Sequence, residues 1–166
     1  PNAHIKLIEI DEDQTALAQQ NIDMNNFKVR VNAIAADLLG SFIKREESGL
    51  TREDADCVIT NPPYLDANTH QASPNLDKAR AHLMPPEGLP HWLTSCGAML
   101  KPKGRLHLIH RADQLAEILS ALPKNFGDIH VLPIHSHERR PATRILVSAT
   151  KNSRAPLMIA RGFVLH

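Results

Sequence analysis

Apolar runs of strand length alternate with helical patterns along most of this chain, and that alternation restricts it to a sheet covered by helices. Residues 4–10 (HIKLIEI) place Ile5, Leu7, Ile8 and Ile10 in a β-type pattern. Asp11 follows as an N-cap with Gln14 three residues on, the layout of a capping box, and Leu17, Ala18, Asn21 and Ile22 then recur at helical spacing. A second strand, 28–34 (KVRVNAI), closes on Ala35-Ala36-Asp37, a polar loop covers about 44–54, and ADCVIT at 55–60 is a third strand. A long Pro-rich segment to about residue 86 is too polar for a core. Residues 87–101 read as a helix in which Pro90 is tolerable only near the first turn. Lys101-Pro102-Lys103-Gly104 is a turn into the strand RLHLIH, the helix ADQLAEILSAL follows, and the runs DIHVLPIH and TRILVSAT close the pattern. No helix separates those last two runs, which predicts an antiparallel hairpin at one edge. The expectation is an α/β fold with a mostly parallel sheet, and 166 residues suit a single domain over 1–166.

In open α/β sheets ligands bind beyond the carboxyl ends of strands, so polar residues there are the first candidates for function. Three strand runs end on one: Glu9, Asp37 and Asn61. A carboxylate at Glu9 suits the two hydroxyls of a ribose, and Asp37 could accept a hydrogen bond from an adenine amino group. Singly, each is a common cap or turn residue; three at successive strand ends point to a nucleoside site. The third stands in CVITNPPYLD (57–66), where two prolines end strand pairing because neither has an N–H to give. The turn Asn61-Pro62-Pro63-Tyr64 thus holds an amide, a bare carbonyl and a ring at the strand mouth.

Charge adds a second signal. The net charge is +1, yet six basic residues and no acid lie from Arg139 onward, against 13 basic and 18 acidic residues before it. A basic end on an otherwise acidic chain fits an anionic macromolecule, with phosphate backbones the first candidate; the plainer alternative is a solvated face. Arg139, Arg140, Arg144, Lys151 and Arg154 are the residues such a surface would use. No apolar run approaches the roughly 20 residues of a membrane span. Cys57 and Cys96 make neither a disulfide framework nor a zinc knuckle, Cys57 reads as a small core residue, and a reducing, cytoplasmic setting follows.

LIEID…ALAQQN, AADLL and VITNPPY resemble the successive motifs of class I S-adenosylmethionine-dependent methyltransferases, in particular the amino-methyltransferases with an Asn-Pro-Pro-Tyr signature. LKPKGRLHLIHRADQLAEIL and RRPATRILVSATKNSRAPLMI are most similar to bacterial tRNA1(Val) adenine methyltransferase-like proteins, and the likeness runs from residue 4 to the end. The resemblance implies a Rossmann-like sheet, S-adenosylmethionine as cofactor and tRNA as the nucleic-acid partner. It puts Glu9 with Ile10 on the cofactor ribose and Asp37 with Leu38 on its adenine. Asn61, Pro62, Pro63 and Tyr64 become the catalytic turn, with Asn61 also beside the cofactor. Tyr64, Arg80, Arg139 and Arg140 become substrate-binding residues.

Elementary chemistry agrees. An exocyclic amine is a poor nucleophile because its lone pair is delocalised into the ring. An Asn61 oxygen and the Pro62 carbonyl can each accept one of its N–H groups and aim the lone pair at the methyl group. Pro63 fixes the carbonyl's direction, and Tyr64 offers a stacking face.

The first strand of that family and its glycine-rich loop have no counterpart among the seven glycines here. In the family that strand lies between the second strand and the Asn-Pro-Pro-Tyr strand, so its loss leaves two sheet edges unpaired. The expectation is therefore a piece of a longer protein. Ten histidines, His135 and His137 above all, raise a metal reading, but no carboxylate or cysteine spacing supports it and no metal is expected. His107 and His110 are expected to flank a strand end, and Trp92, Leu93 and Met99 to face the core. Three function classes remain open: an RNA adenine methyltransferase, a protein glutamine methyltransferase of the release-factor type, and a non-catalytic RNA-binding remnant.

Overall fold

The computed structural model describes residues 3–63, 65–66, 83–85 and 87–166, so Tyr64 and Arg80 lie outside the described residues. The chain divides into two compact units, Pro1–Thr51 and Arg52–His166.

The first unit is a strand-helix-strand-helix run: β1 (Ile5–Glu9), α1 (Glu12–Met24), β2 (Val31–Ala35) and α2 (Phe42–Glu47). Asp11 caps α1 as expected, its carboxylate accepting the Gln14 N–H at 3.0 Å. β1 and β2 pair in parallel from Ile5↔Val31 to Glu9↔Ala35, which sets their carboxyl ends side by side. The Gln19 side-chain oxygen accepts the Ala33 N–H at 3.2 Å and ties α1 to β2. Two boundaries differ from the sequence expectation. The second strand starts at Val31, not 28, because the N–H groups of Arg30 and Val31 both turn back to the Phe27 carbonyl. Part of the expected loop is the helix α2, started by the Ser41 hydroxyl accepting the Lys44 N–H; it buries no residue, so it leaves no apolar period to read.

The second unit is built on a six-stranded sheet of β3 (Ala55–Thr60), β6 (Leu100–Arg111), β7 (Phe126–His135), β8 (Ala142–Lys151), β9 (Met158–Ile159) and β10 (Phe163–Val164). The path runs β10-β7-β8-β6-β3, with β9 also on β7. β3 and β6 are parallel, while β8 is antiparallel to both β6 and β7. The expected hairpin is therefore present, and its second strand sits inside the sheet between β7 and β6. A short parallel pair, β4 (Leu65–Asp66) with β5 (Leu83–Met84), stands apart. α3 (Gly88–Met99) and α4 (Leu115–Ala121), the latter led in by a 3-10 turn at Ala112–Gln114, cover one sheet face. Pro90 falls in the first turn of α3, where its missing N–H costs nothing.

The core forms where Leu93 and Cys96 of α3 and Ile118 of α4 meet Leu106, Leu108, Val131, Ile145 and Val147 of the sheet. Alternate residues on β6 and β8 supply it, and their neighbours face the other way. The expected turn at Lys101–Gly104 is a bulge within β6: the register jumps from Ala55↔Leu100 to Cys57↔Arg105. Gly104 is required there, since a Cβ would stand 2.9 Å from the Lys101 carbonyl oxygen. Cys57 corrects another expectation. It is exposed on β3, which pairs only with β6 among the described residues, whereas Cys96 is the core thiol. No helix among the described residues is long and apolar enough to cross a membrane.

Candidate active site

Four of the five predicted cofactor residues, Glu9, Ile10, Asp37 and Leu38, lie at one end of the first unit, and the fifth, Asn61, belongs to the second. Glu9 is the last residue of β1 with Ile10 next to it, and Asp37 and Leu38 follow β2 by two and three residues. Because β1 and β2 are parallel and in register, the two carboxylates share one sheet end. Each is held by its own backbone. One Glu9 oxygen accepts the Ile10 and Asp11 N–H groups at 2.8 and 3.1 Å, and Asp37 accepts the Leu39 N–H at 2.8 Å. Such local turns fix a carboxylate through one oxygen and leave the second oxygen's lone pairs for a ligand. A concavity of about 370 Å³ lies here, lined by Ile10, Asp37, Ser41 and Lys44 among others.

In the second unit Asn61 directly follows β3, and the turn is anchored on both sides of it. Pro62 is fully buried while Asn61 stays exposed. Before it, the Thr60 hydroxyl accepts the Trp92 indole N–H at 2.9 Å. Trp92 is thus more than the core residue expected from its helical spacing: half-buried on α3, it holds Thr60, the last residue of β3. A tryptophan five residues into a helix and a threonine ending a strand carry no sequence signal for this bond, since 32 residues separate them.

Arg139 and Arg140 are exposed in the turn between β7 and β8. β3, β6 and β7 all point the same way, so this turn opens at the end of the sheet at which Asn61 follows β3. Lys151 does not join them. It is buried, donating to the Leu100 carbonyl at 2.7 Å and to Glu53 at 3.2 Å, so its charge serves the fold rather than a basic surface. His135 bonds the Arg140 carbonyl through Nδ1 at 2.8 Å and shapes that turn.

His107 and His110 lie within β6 instead of flanking its end, and His110 is buried. Burial holds the His110 imidazole below its ordinary value of 6.5; the charges of Arg111 and Arg144 act the same way, and an Arg111 backbone hydrogen bond and Asp113 oppose them. A group whose folded-state value is depressed binds its proton more readily when unfolded. Stability is therefore complete above about pH 6.5 and is lost as pH falls below it. Thermal melts between pH 8 and 5 should show this decline for the wild-type chain and a weaker one for His110→Leu. Equal declines would exclude His110 as the source.

No family model matches the chain. It is 31% identical over 147 residues to a tRNA1(Val) (adenine(37)-N6)-methyltransferase from Shewanella halifaxensis, covering 87% of this chain and 57% of that protein. It is 31% identical over 74 residues to a ribosomal protein uL3 glutamine methyltransferase from Francisella tularensis, covering 45% of this chain and 21% of that protein. The chain thus spans between about a fifth and somewhat over half the length of these curated relatives. Among solved structures, one described as a predicted O-methyltransferase from Agrobacterium tumefaciens superposes with a TM-score of 0.78 at 28% identity, covering 99% of this chain and 70% of that one. The fold is that of a class I, Rossmann-like methyltransferase. Within that class its sequence is similar both to a tRNA1(Val) adenine methyltransferase and to a protein glutamine methyltransferase.

Proposed function

We propose that this chain is the catalytic part of an S-adenosylmethionine-dependent methyltransferase that methylates the exocyclic amine of an adenine in tRNA. The observation that carries the reading is the exposed Asn61 at the carboxyl end of β3, braced by buried Pro62 and by the Trp92–Thr60 bond. The end of the first unit fits a nucleoside-bearing cofactor. Glu9 offers a carboxylate to a ribose diol, Asp37 an acceptor to an adenine amine, and Ile10 and Leu38 apolar contact to the ring. When bound, S-adenosylmethionine supplies an electrophilic methyl group on a good leaving group. The protein's task is then positioning. Asn61 and the Pro62 carbonyl accept the two N–H groups of the target amine, Pro63 stiffens the turn, and Tyr64 stacks the base.

The acceptor is tested by methyl transfer from labelled cofactor to total tRNA, to ribosomal protein uL3 and to release factor, followed by nucleoside analysis. Label in N6-methyladenosine is the expected result. Label on a protein glutamine would replace the RNA reading with the second one, which the Francisella relative favours and which needs the same pair of acceptors for a flat amide nitrogen. No transfer to any acceptor, with no saturable cofactor binding, would leave the non-catalytic remnant.

The brace gives a further expectation. Trp92→Phe keeps most of the ring but deletes the indole donor, a bond worth about 1 kcal/mol net. It should lower kcat several-fold with the cofactor Kd unchanged and the melting temperature shifted by only a few degrees. A wild-type kcat would show that Thr60 needs no brace.

A further inference from the structure

β6 and β8 bring two arginines face to face. Arg111 pairs in register with Arg144 at the carboxyl end of β6, on the sheet face opposite the helices, because Leu106, Leu108 and His110 are the buried alternates. Like charges directly opposed across an antiparallel pair repel; the Asp113 carboxylate offsets this on the Arg111 side, and an anion set between the two arginines would offset the rest. Together with Asp113, Ala142 and Thr143 they line a concavity of about 410 Å³. The Arg111 guanidinium is chelated by Asp113, with Nε donating at 3.0 Å and Nη2 making a second contact to the other oxygen. Arg144 donates through Nη1 to the Thr143 carbonyl at 3.0 Å. Both side chains are thereby oriented while 40% of the Arg111 side chain remains accessible. The neighbouring turn adds exposed Arg139 and Arg140. Among the described residues 111–113 and 138–144, four arginines therefore stand with two carboxylates, Asp113 and Glu138.

The concavity is close to the proposed acceptor turn. β3 and β6 are adjacent and parallel with Thr60 beside Leu108, so Arg111 lies on the next strand, three residues past the level where β3 gives way to Asn61. Neighbouring strands are about 4.8 Å apart, which puts Arg111 and Arg144 one and two strand spacings from the catalytic strand.

We infer that Arg111, Thr143 and Arg144 form a phosphodiester-binding site for the nucleic-acid strand whose base is presented to Asn61. The inference rests on the RNA reading above and adds the residues that grip the backbone. Guanidinium forks match phosphate oxygens two at a time, and Thr143 adds a hydroxyl donor. Asp113 keeps Arg111 in place when no strand is bound.

The test is RNA affinity as a function of salt for a single-stranded anticodon-loop RNA, with cofactor affinity measured by calorimetry on the same samples. Arg111→Ala with Arg144→Ala should flatten the slope of log affinity against log salt by about 1.4, two contacts at roughly 0.7 each. Affinity should fall on the order of tenfold or more per guanidinium, with the cofactor Kd unchanged. Arg111→Lys with Arg144→Lys keeps the charges but not the forks, so it should keep the slope and lose several-fold in affinity. A wild-type slope in the alanine pair overturns this site and leaves the RNA reading intact, as does a lysine pair as flat as the alanine pair. A wild-type protein that binds no RNA overturns both.

Discussion

Asn61→Ala is expected to lower the methyl-transfer rate by about a hundredfold or more while the cofactor Kd changes only a few-fold. Losing a preorganised polar group aimed at a reacting centre typically costs that much, and the backbone that carries Asn61 is held on both flanks. Pro62 is locked in the interior and Thr60 is held by Trp92. The position from which the amide reaches the acceptor is therefore fixed by the fold, so its removal should show in kcat. A variant that keeps more than about a tenth of the rate would remove Asn61 from the mechanism. Glu9→Ala should invert the order of effects. Its carboxylate is steadied by the Ile10 and Asp11 N–H groups, and losing a charged partner to the ribose hydroxyls costs roughly 1.5–3 kcal/mol. Calorimetry should show the cofactor Kd rising on the order of tenfold or more before kcat at saturating cofactor changes. Comparable losses in both quantities for both variants would mean global damage instead of separate roles.

Gly127→Ala is expected to cost about 3 kcal/mol of folding stability, the upper end of what overpacking usually does. Gly127 is buried near the start of β7, and a Cβ there would stand 2.5 Å from the Ser153 carbonyl oxygen and 2.8 Å from its carbon. Those atoms are backbone, and their segment is tied down: the Asp128 N–H donates to the Ala155 carbonyl at 2.9 Å, and the Thr150 hydroxyl donates to Asp128 at 3.0 Å. No side chain can swing aside to make room. For a chain of this size the melting temperature should drop by about 6–12 °C. Gly49→Ala is the comparison: a Cβ there meets nothing within 4 Å, and only its φ of +90° resists the change. Its cost should be about 1–2 kcal/mol, from the left-handed backbone alone. If Gly127→Ala melts no lower than Gly49→Ala, the β7 entry is more pliable than its hydrogen bonds imply.

The strand-helix alternation was legible because it depends on local pattern. β3, α3 and the β7–β8 pair lie where apolar runs and turn residues put them. α2 was not, because a short helix with no buried face has no period for a sequence to display. The bulge in β6 was half-legible. Lys101-Pro102-Lys103-Gly104 reads as a turn, and it is a local irregularity, but pairing with β3 carries the strand on either side of it. Cys57 and Lys151 exchanged their expected places for a tertiary reason. Small apolar character put Cys57 inside, yet β3 has a neighbour on one side only among the described residues; charge put Lys151 outside, yet the Leu100 carbonyl and Glu53 receive it within. Candidate site residues at strand ends could be named because the ends could be counted. The Trp92–Thr60 brace and the opposed Arg111 and Arg144 could not, because each joins distant segments whose register only the folded sheet defines.

The place of β8 has a consequence for the order of events during synthesis. Among the described residues β6 and β7 are mutually parallel and are joined through β8, which is made last of the three. At 5–20 residues per second the ribosome needs about 2–6 s to advance from Arg111, where β6 ends, to Ala142, where β8 begins. Through that interval the β8-facing side of β6 is an open row of N–H and C=O groups beside the apolar Leu106 and Leu108, a template for any other nascent strand. This unit should therefore lean on holding chaperones while it is being translated. Slow codons placed between residues 111 and 142 should raise the aggregated fraction, and the same codons placed after 151 should not.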